Sequence, residues 1–162
     1  MALNGHKQSL RSKKMGYLIQ AAIMMADALP GKLPPDLSVV RLDQNVRMIP
    51  LGDTALEKHD LPFLALLEEN NTKNLPGLLK LLNSLRTAGR IAYIEAEYFG
   101  GEGTQAHILI DKDGEVKTAI ATSDAINEAL KWLGVPSGGK ADEFDTIGLG
   151  RYRDTNDWLE PD

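Results

Sequence analysis

The stretch from Ile91 to Ala121 constrains the fold more than any other part of the chain. Ile91, Tyr93, Glu95 and Glu97 alternate with Ala92, Ile94, Ala96 and Tyr98, the period of a β-strand whose side chains point to opposite faces in turn. The run Gly100-Gly101-Glu102-Gly103 interrupts it, and Gln105 to Ile110 reads as a second strand. Asp113-Gly114 then supplies a tight turn into Val116 to Ala121,. Because these loops are short and glycine-bearing, strands at about 90–99, 104–111 and 115–121 are predicted to be consecutive antiparallel neighbours, a three-stranded meander.

Helical signals flank the meander. Leu75, Leu78, Leu79, Leu82 and Leu85 fall on one face of a predicted helix over Leu75 to Ala88, with Pro76 in its first turn and Gly89 as its stop,. Ser123 or Asp124 can cap a second, whose stripe Ala125, Ile126, Ala129, Leu130 and Leu133 ends at Gly134,. Leu61 to Glu69 also reads as helical, and Asp53 and Thr54 can cap a short helix toward His59. Upstream, Ser38 to Leu51 reads as strand material with a turn at Asp43-Gln44-Asn45,. Met15 to Met25 fits neither period; a strand is expected at its start, with Ala26 to Leu29 a helical turn before the Pro30-Gly31 and Pro34-Pro35 breakers,. The expected fold is α+β: a single domain, an antiparallel sheet including the meander, and helices packed mainly on one face.

At 162 residues, 43% hydrophobic and 25% charged, the chain is of ordinary size and composition for one globular domain rather than a disordered or fibrous protein. It has no cysteine, which removes disulfides, thiolate metal sites and a cysteine nucleophile. No apolar run approaches the roughly 20 residues of a membrane helix. Net charge is −5, yet residues 1–14 carry Lys7, Arg11, Lys13 and Lys14 without an acid, so setting aside that +4 leaves −9 on residues 15–162. Residues 1–14 read as a basic disordered arm or as an extension preceding the natural start at Met15; residues 15–162 read as the globular domain. A body this acidic repels nucleic-acid phosphates and suits a basic protein partner. No signal-peptide core follows the basic residues, so the expected compartment is cytoplasmic. The oligomeric state is left open.

The densest cluster of reactive groups is Glu95 to Gln105. On one strand face Glu95 and Glu97 should lie about 6 to 7 Å apart at Cα. Two such carboxylates can hold a hard cation, split their proton affinities for acid–base work, meet a basic protein, or form an ordinary solvated strand face. The glycine loop is no phosphate loop, because no Lys-Ser/Thr follows and it joins strand to strand. In the tail, Asp142, Glu143 and Asp145 lack the spacing of a calcium loop. Arg151 and Arg153 can fork onto an anion, or pair with Asp142, Glu143, Asp145, Glu95 or Glu97 and tie the tail down. A packed tail is also what Phe144, Ile147, Leu149 and Trp158 suggest. His6, His59 and His107 share no metal spacing, a strand contact is expected of His107, and no nucleophile elbow or zinc helix is present,. No metal, cofactor or catalytic residue is assigned.

AYIEAEYFGGEGTQA (Ala92 to Ala106), AINEALKWLGV (Ala125 to Val135) and DEFDTIGLGRYRDTNDWL (Asp142 to Leu159) together resemble a family of small, mostly uncharacterised bacterial proteins. Its members share an EAE-aromatic-GGxGxQ hairpin and a DEFDxxGLGRxRxTxDW tail. The resemblance spans about residues 15–159, and the tail motif is its most specific part. It implies a start at Met15 and a single bacterial cytoplasmic domain, and carries no established activity. A longer insert around Glu57 to Lys73 departs from the family pattern.

The leading functional expectation is a non-enzymatic protein-binding module, of the immunity type that neutralises a basic toxin. Its candidate partner- or ligand-binding residues are Glu95, Glu97, Tyr98, Gln105, Asp142, Glu143, Asp145, Arg151 and Arg153. The alternative is an enzyme or small-ligand binder using Glu95, Glu97 and Gln105 with Arg151 in a cleft. Convergent buried polar groups would favour the cleft, and a flat acidic face the protein binder. An exposed apolar patch would speak for self-association.

Overall fold

The run Gly16–Met25, apolar at almost every position, is a strand with both faces covered. A strand buried on two sides has no polar face to mark a period, which is why its pattern fits neither helix nor half-buried strand. The computed structural model describes residues 16–68, 75–86, 89–137 and 142–160. In these, β1 (Gly16–Met25), β2 (Val40–Arg41), β3 (Val46–Pro50), β4 (Ile91–Phe99), β5 (Glu102–Ile110) and β6 (Val116–Thr122) form one antiparallel sheet in the order β2-β3-β1-β4-β5-β6. The expected meander β4-β5-β6 is present, and β1 ends in the expected helical turn at Ala26–Ala28.

Alternation along β4 sorts the core. Ile91 and Tyr93 join one buried cluster, Ala92, Ile94 and Ala96 the other. The first cluster is covered by α1 (Asp53–Lys58), the Leu61–Leu66 segment and α2 (Leu75–Leu85); the second by α3 (Ala125–Leu133), α4 (Glu143–Ile147) and Trp158. The α+β class and the single antiparallel sheet stand as expected. The helices, however, divide between the two faces, because the central strands are apolar on both sides and each face needs its own cover. No helix among the described residues is long and apolar enough to cross a membrane.

Two local expectations need correction. Leu61 to Glu68 is not a helix but a series of turns, with Leu64 at φ +48° and one helical hydrogen bond, Glu68 N to Leu64 O at 2.9 Å. The α2 helix ends at Leu85 rather than Ala88, and its buried side is Leu78, Leu81, Leu82 and Leu85 with Leu75 and Leu79 partly covered. Residues 1–15, 69–74 and 87–88 lie outside the described residues, and with them the basic arm and the ends of both predicted helices.

The tail docks through the sheet. β3 pairs only with residues 21–25 of β1, whereas β4 pairs with residues 16–23, so the first half of β1 keeps a free edge. The tail fills it: Leu18 N donates to Arg153 O at 2.8 Å, and Gln20 N donates to Thr155 Oγ1 at 3.0 Å. Leu82 and Leu130, both fully buried, sit on opposite faces. Leu82→Ala and Leu130→Ala should each lower the unfolding free energy in urea by about 2–5 kcal/mol. Their effects should add, because the sheet separates them.

Candidate functional site

The nine sequence-selected residues go to three places. Glu95 and Glu97 lie on the α2 side of the sheet, while Tyr98, Gln105 and Asp142 meet on the α3 side. Arg151 and Arg153 are exposed on the tail, with Asp145 exposed and Glu143 buried in α4.

Glu95 is not a surface carboxylate. It is fully buried and clasped by backbone: Leu66 N lies 3.1 Å from both of its oxygens, and Leu67 N lies 3.0 Å from Oε1. The Tyr93 hydroxyl, two residues earlier on the same face, donates to Oε2. Burial pushes the Glu95 carboxyl above its ordinary 4.5, and the hydrogen bonds from Tyr93 and the loop amides oppose that shift without cancelling it,. Burial and the adjacent Glu95 carboxylate likewise raise the Tyr93 phenol. Gln20, also buried, extends the same arrangement by donating to Pro62 O at 3.2 Å and accepting from Leu64 N at 3.1 Å. Gln20, Tyr93 and Glu95 thus hold the 62–67 segment onto the sheet. Glu97 is exposed, and partial burial followed by repulsion from Glu68 raises its carboxyl.

The expected ion pair between Arg151 or Arg153 and Asp142, Glu143, Asp145, Glu95 or Glu97 does not form among the described residues. The tail is held by main-chain bonding and apolar packing instead. Arg153 donates to the Gly16 carbonyl at 3.3 Å, and Tyr152 packs edge-on against Trp158 at 4.8 Å. His107 is buried with Nε2 3.3 Å from Glu128 Oε1, so its polar contact is to α3 and not the expected contact across strands.

On the opposite face, a cleft of about 280 Å³ opens between the sheet and the first turns of α3 and α4. Tyr17, Tyr98, Gln105, Asn127, Asp142 and Phe144 line it. Its polar groups are positioned by one another. Gln105 donates to Tyr98 Oη at 3.0 Å and accepts from Ile126 N at 2.9 Å, satisfying an amide in the first turn of α3 that Asp124 leaves uncapped,. Asn127 donates to Asp142 Oδ2 at 3.0 Å and accepts from Phe144 N at 2.9 Å, while Asp142 Oδ1 caps α4 through Asp145 N. Tyr17 donates to Leu149 O at 3.0 Å, meets Phe144 edge-on at 5.5 Å, and has its phenol raised by burial. Gly103 permits the hairpin beside Tyr98: a Cβ there would sit 2.1 Å from the Glu97 carbonyl.

A second depression, of about 230 Å³, carries Asp53, Asp154, Asp157 and Glu160 around Leu18 and Phe63. Among the described residues no group of three or more acids and histidines is arranged to hold a metal ion. Comparison of the chain with protein-family models, with curated proteins and with solved structures finds no match.

Sequence reasoning missed Tyr17, Asn127 and Phe144, which become neighbours only when the tail docks. It also passed over Gln20, although a lone amide in an apolar strand was the available signal.

Two outcomes test the Glu95 clasp. Glu95→Ala strands the amides of Leu66 and Leu67, should cost roughly 2–4 kcal/mol, and should speed hydrogen exchange at both. Because the folded pKa is raised, Glu95 contributes stability below about its unfolded value of 4.5 that is lost as pH rises through the folded value,. Urea titrations from pH 4 upward should therefore show a fall in wild-type stability, relative to Glu95→Gln, over that window. A constant difference would refute the linkage.

Proposed function

We propose that the protein is a small-ligand-binding module whose site is the cleft between the sheet, α3 and α4, and that its ligand is a compact amine-bearing cation. The observation that carries this is the convergence of Tyr17, Tyr98, Gln105, Asn127, Asp142 and Phe144, drawn from four separated stretches of sequence, on one concavity. The cleft combines aromatic rings with a few fixed polar groups, the usual make-up of a ligand pocket. Among the described residues Asp142 is its one charged lining residue, and no basic side chain of those residues lines it. Aromatic rings beside a carboxylate favour an ammonium group, by ion pairing and by attraction to the ring faces. At about 280 Å³ the space suits a ligand of metabolite size. No catalytic role is assigned to these residues.

A second reading, an immunity-type module that meets a basic protein, draws on a different place from the one expected. Glu95 is buried and cannot present its charge, but the depression of Asp53, Asp154, Asp157 and Glu160 around Phe63 suits a lysine or arginine side chain with its apolar stem,.

Thermal-shift titration with choline and phenethylamine, against their uncharged alcohol counterparts, tests the first reading. The amines should raise the melting temperature and the alcohols should not, and Asp142→Asn should abolish the shift. A basic-protein site would instead show association that slows steeply with salt and survives Asp142→Asn.

A further inference from the structure

We propose that the free edge of β6 pairs antiparallel with β6 of a second copy of this chain, across a two-fold axis at Thr118, doubling the six-stranded sheet. The edge is long, and no strand among the described residues pairs with it. β6 is the terminal strand, seven residues long, whereas β2 at the other end has only two and sets Arg41 opposite Arg47. An edge strand presents unpaired main-chain donors and acceptors, a ready template for another strand.

Its side chains are those of a strand awaiting a neighbour. Val116 and Ile120 are 41% and 47% exposed, two of the four exposed large hydrophobic residues among the described residues, and with Thr118 they occupy one strand face. They continue outward a row that is buried in β5, for Val116 stands opposite Ile110, Thr118 opposite Ile108 and Ile120 opposite Ala106.

The sequence of the strand selects the occupant. A two-fold contact must match a surface to itself, so that each residue meets its counterpart reciprocally. Centred on Thr118, antiparallel pairing sets Val116 of each copy opposite Ile120 of the other, and Thr118 opposite Thr118. β-branched cross-strand pairs of this kind are favourable. On the reverse face Lys117, the strand's only charge, falls opposite Ala119, and Glu115 falls opposite Ala121, so no like charges are directly opposed. Moving the axis by one residue, to Lys117, would set the two lysines against each other. Ala121, at φ +61°, is the extra residue of a bulge opposite Gln105 and Ala106 and ends the regular edge, so the pairing spans Val116 to Ile120,.

The chain contains no cysteine, so single-cysteine variants of the full-length protein report the register directly. Thr118→Cys places its sulfur opposite its own counterpart, within disulfide reach, and should form a covalent dimer under mild oxidation. Val116→Cys and Ile120→Cys separately should cross-link far more slowly, yet a mixture of the two should yield a heterodimer, because those positions face each other. In parallel, sedimentation equilibrium over an about hundred-fold concentration range should show a rise toward twice the mass of one chain. Ile120→Lys, at an exposed position and checked for folding by circular dichroism, should hold the protein at the mass of one chain. Equal cross-linking rates at positions 116, 118 and 120, a single-chain mass at every wild-type concentration, or unchanged association of Ile120→Lys would each overturn the proposal.

Discussion

The structure depends on burying a carboxylate and an amide inside an otherwise apolar interface. One face of the sheet is roofed partly by the irregular segment from Leu61 to Leu67, and irregular backbone carries donors and acceptors that no helix ladder satisfies. A purely apolar sheet face would leave those groups unpaired and would expel the segment to solvent. Gln20 and Glu95 supply the missing acceptors at Leu64, Leu66 and Leu67, and Gln20 supplies the donor at Pro62. Leu61, Ala65 and Leu66 can then join the buried cluster that holds Ala22, Met24, Ile91 and Tyr93, and Leu64 is itself fully buried. Desolvation of Glu95 raises its proton affinity, a cost accepted because the alternative is several orphaned amides in the core.

A similar exchange of partners builds the cleft on the other face. The tail reaches β1 because β3 leaves its first half unpaired, and that docking sets Phe144 against Tyr17. The first turns of α3 and α4 then share side chains. Gln105 serves α3, Asp142 serves α4, and Asn127 joins the two. Tyr17, Tyr98, Gln105, Asn127 and Asp142 are each fixed by a hydrogen bond within the protein. Such preorganisation lowers the ordering cost of binding.

What was legible in the sequence was what depends on short-range period. The meander, α3 and its glycine stop, and the helical turn after Met25 all follow from alternation or from turn residues. The errors arise where tertiary partners override local pattern. Leu61 to Glu68 has helical spacing, but Leu64 at φ +48° turns the chain so that its amides face Gln20 and Glu95. The face assignment of Glu95 with Glu97 was sound, because period alone decides it. Its expected exposure was not, because nothing within β4 reveals that a segment 28 residues earlier lies on top. The paired tail arginines failed for a related reason: main-chain bonding at the edge of β1 already held the tail.

The two proposed binding surfaces both border β5. Gln105, which bridges Tyr98 and the first turn of α3, pairs with Thr122 at the bulge that ends the regular part of β6. Thr104 Oγ1 also donates to the Thr122 carbonyl, at 3.4 Å. An edge strand frays most easily at its end, and here that end lies against the residue that sets the cleft's geometry. Pairing of Val116 to Ile120 with a second copy would hold β6 from both sides and stiffen the register at Gln105. The same pairing leaves Tyr17, Asn127 and Asp142 untouched, since they reach the cleft from β1, α3 and the start of α4. Any influence of self-association on ligand binding would therefore pass through Gln105, Ser123 and the first turn of α3, rather than through Asp142.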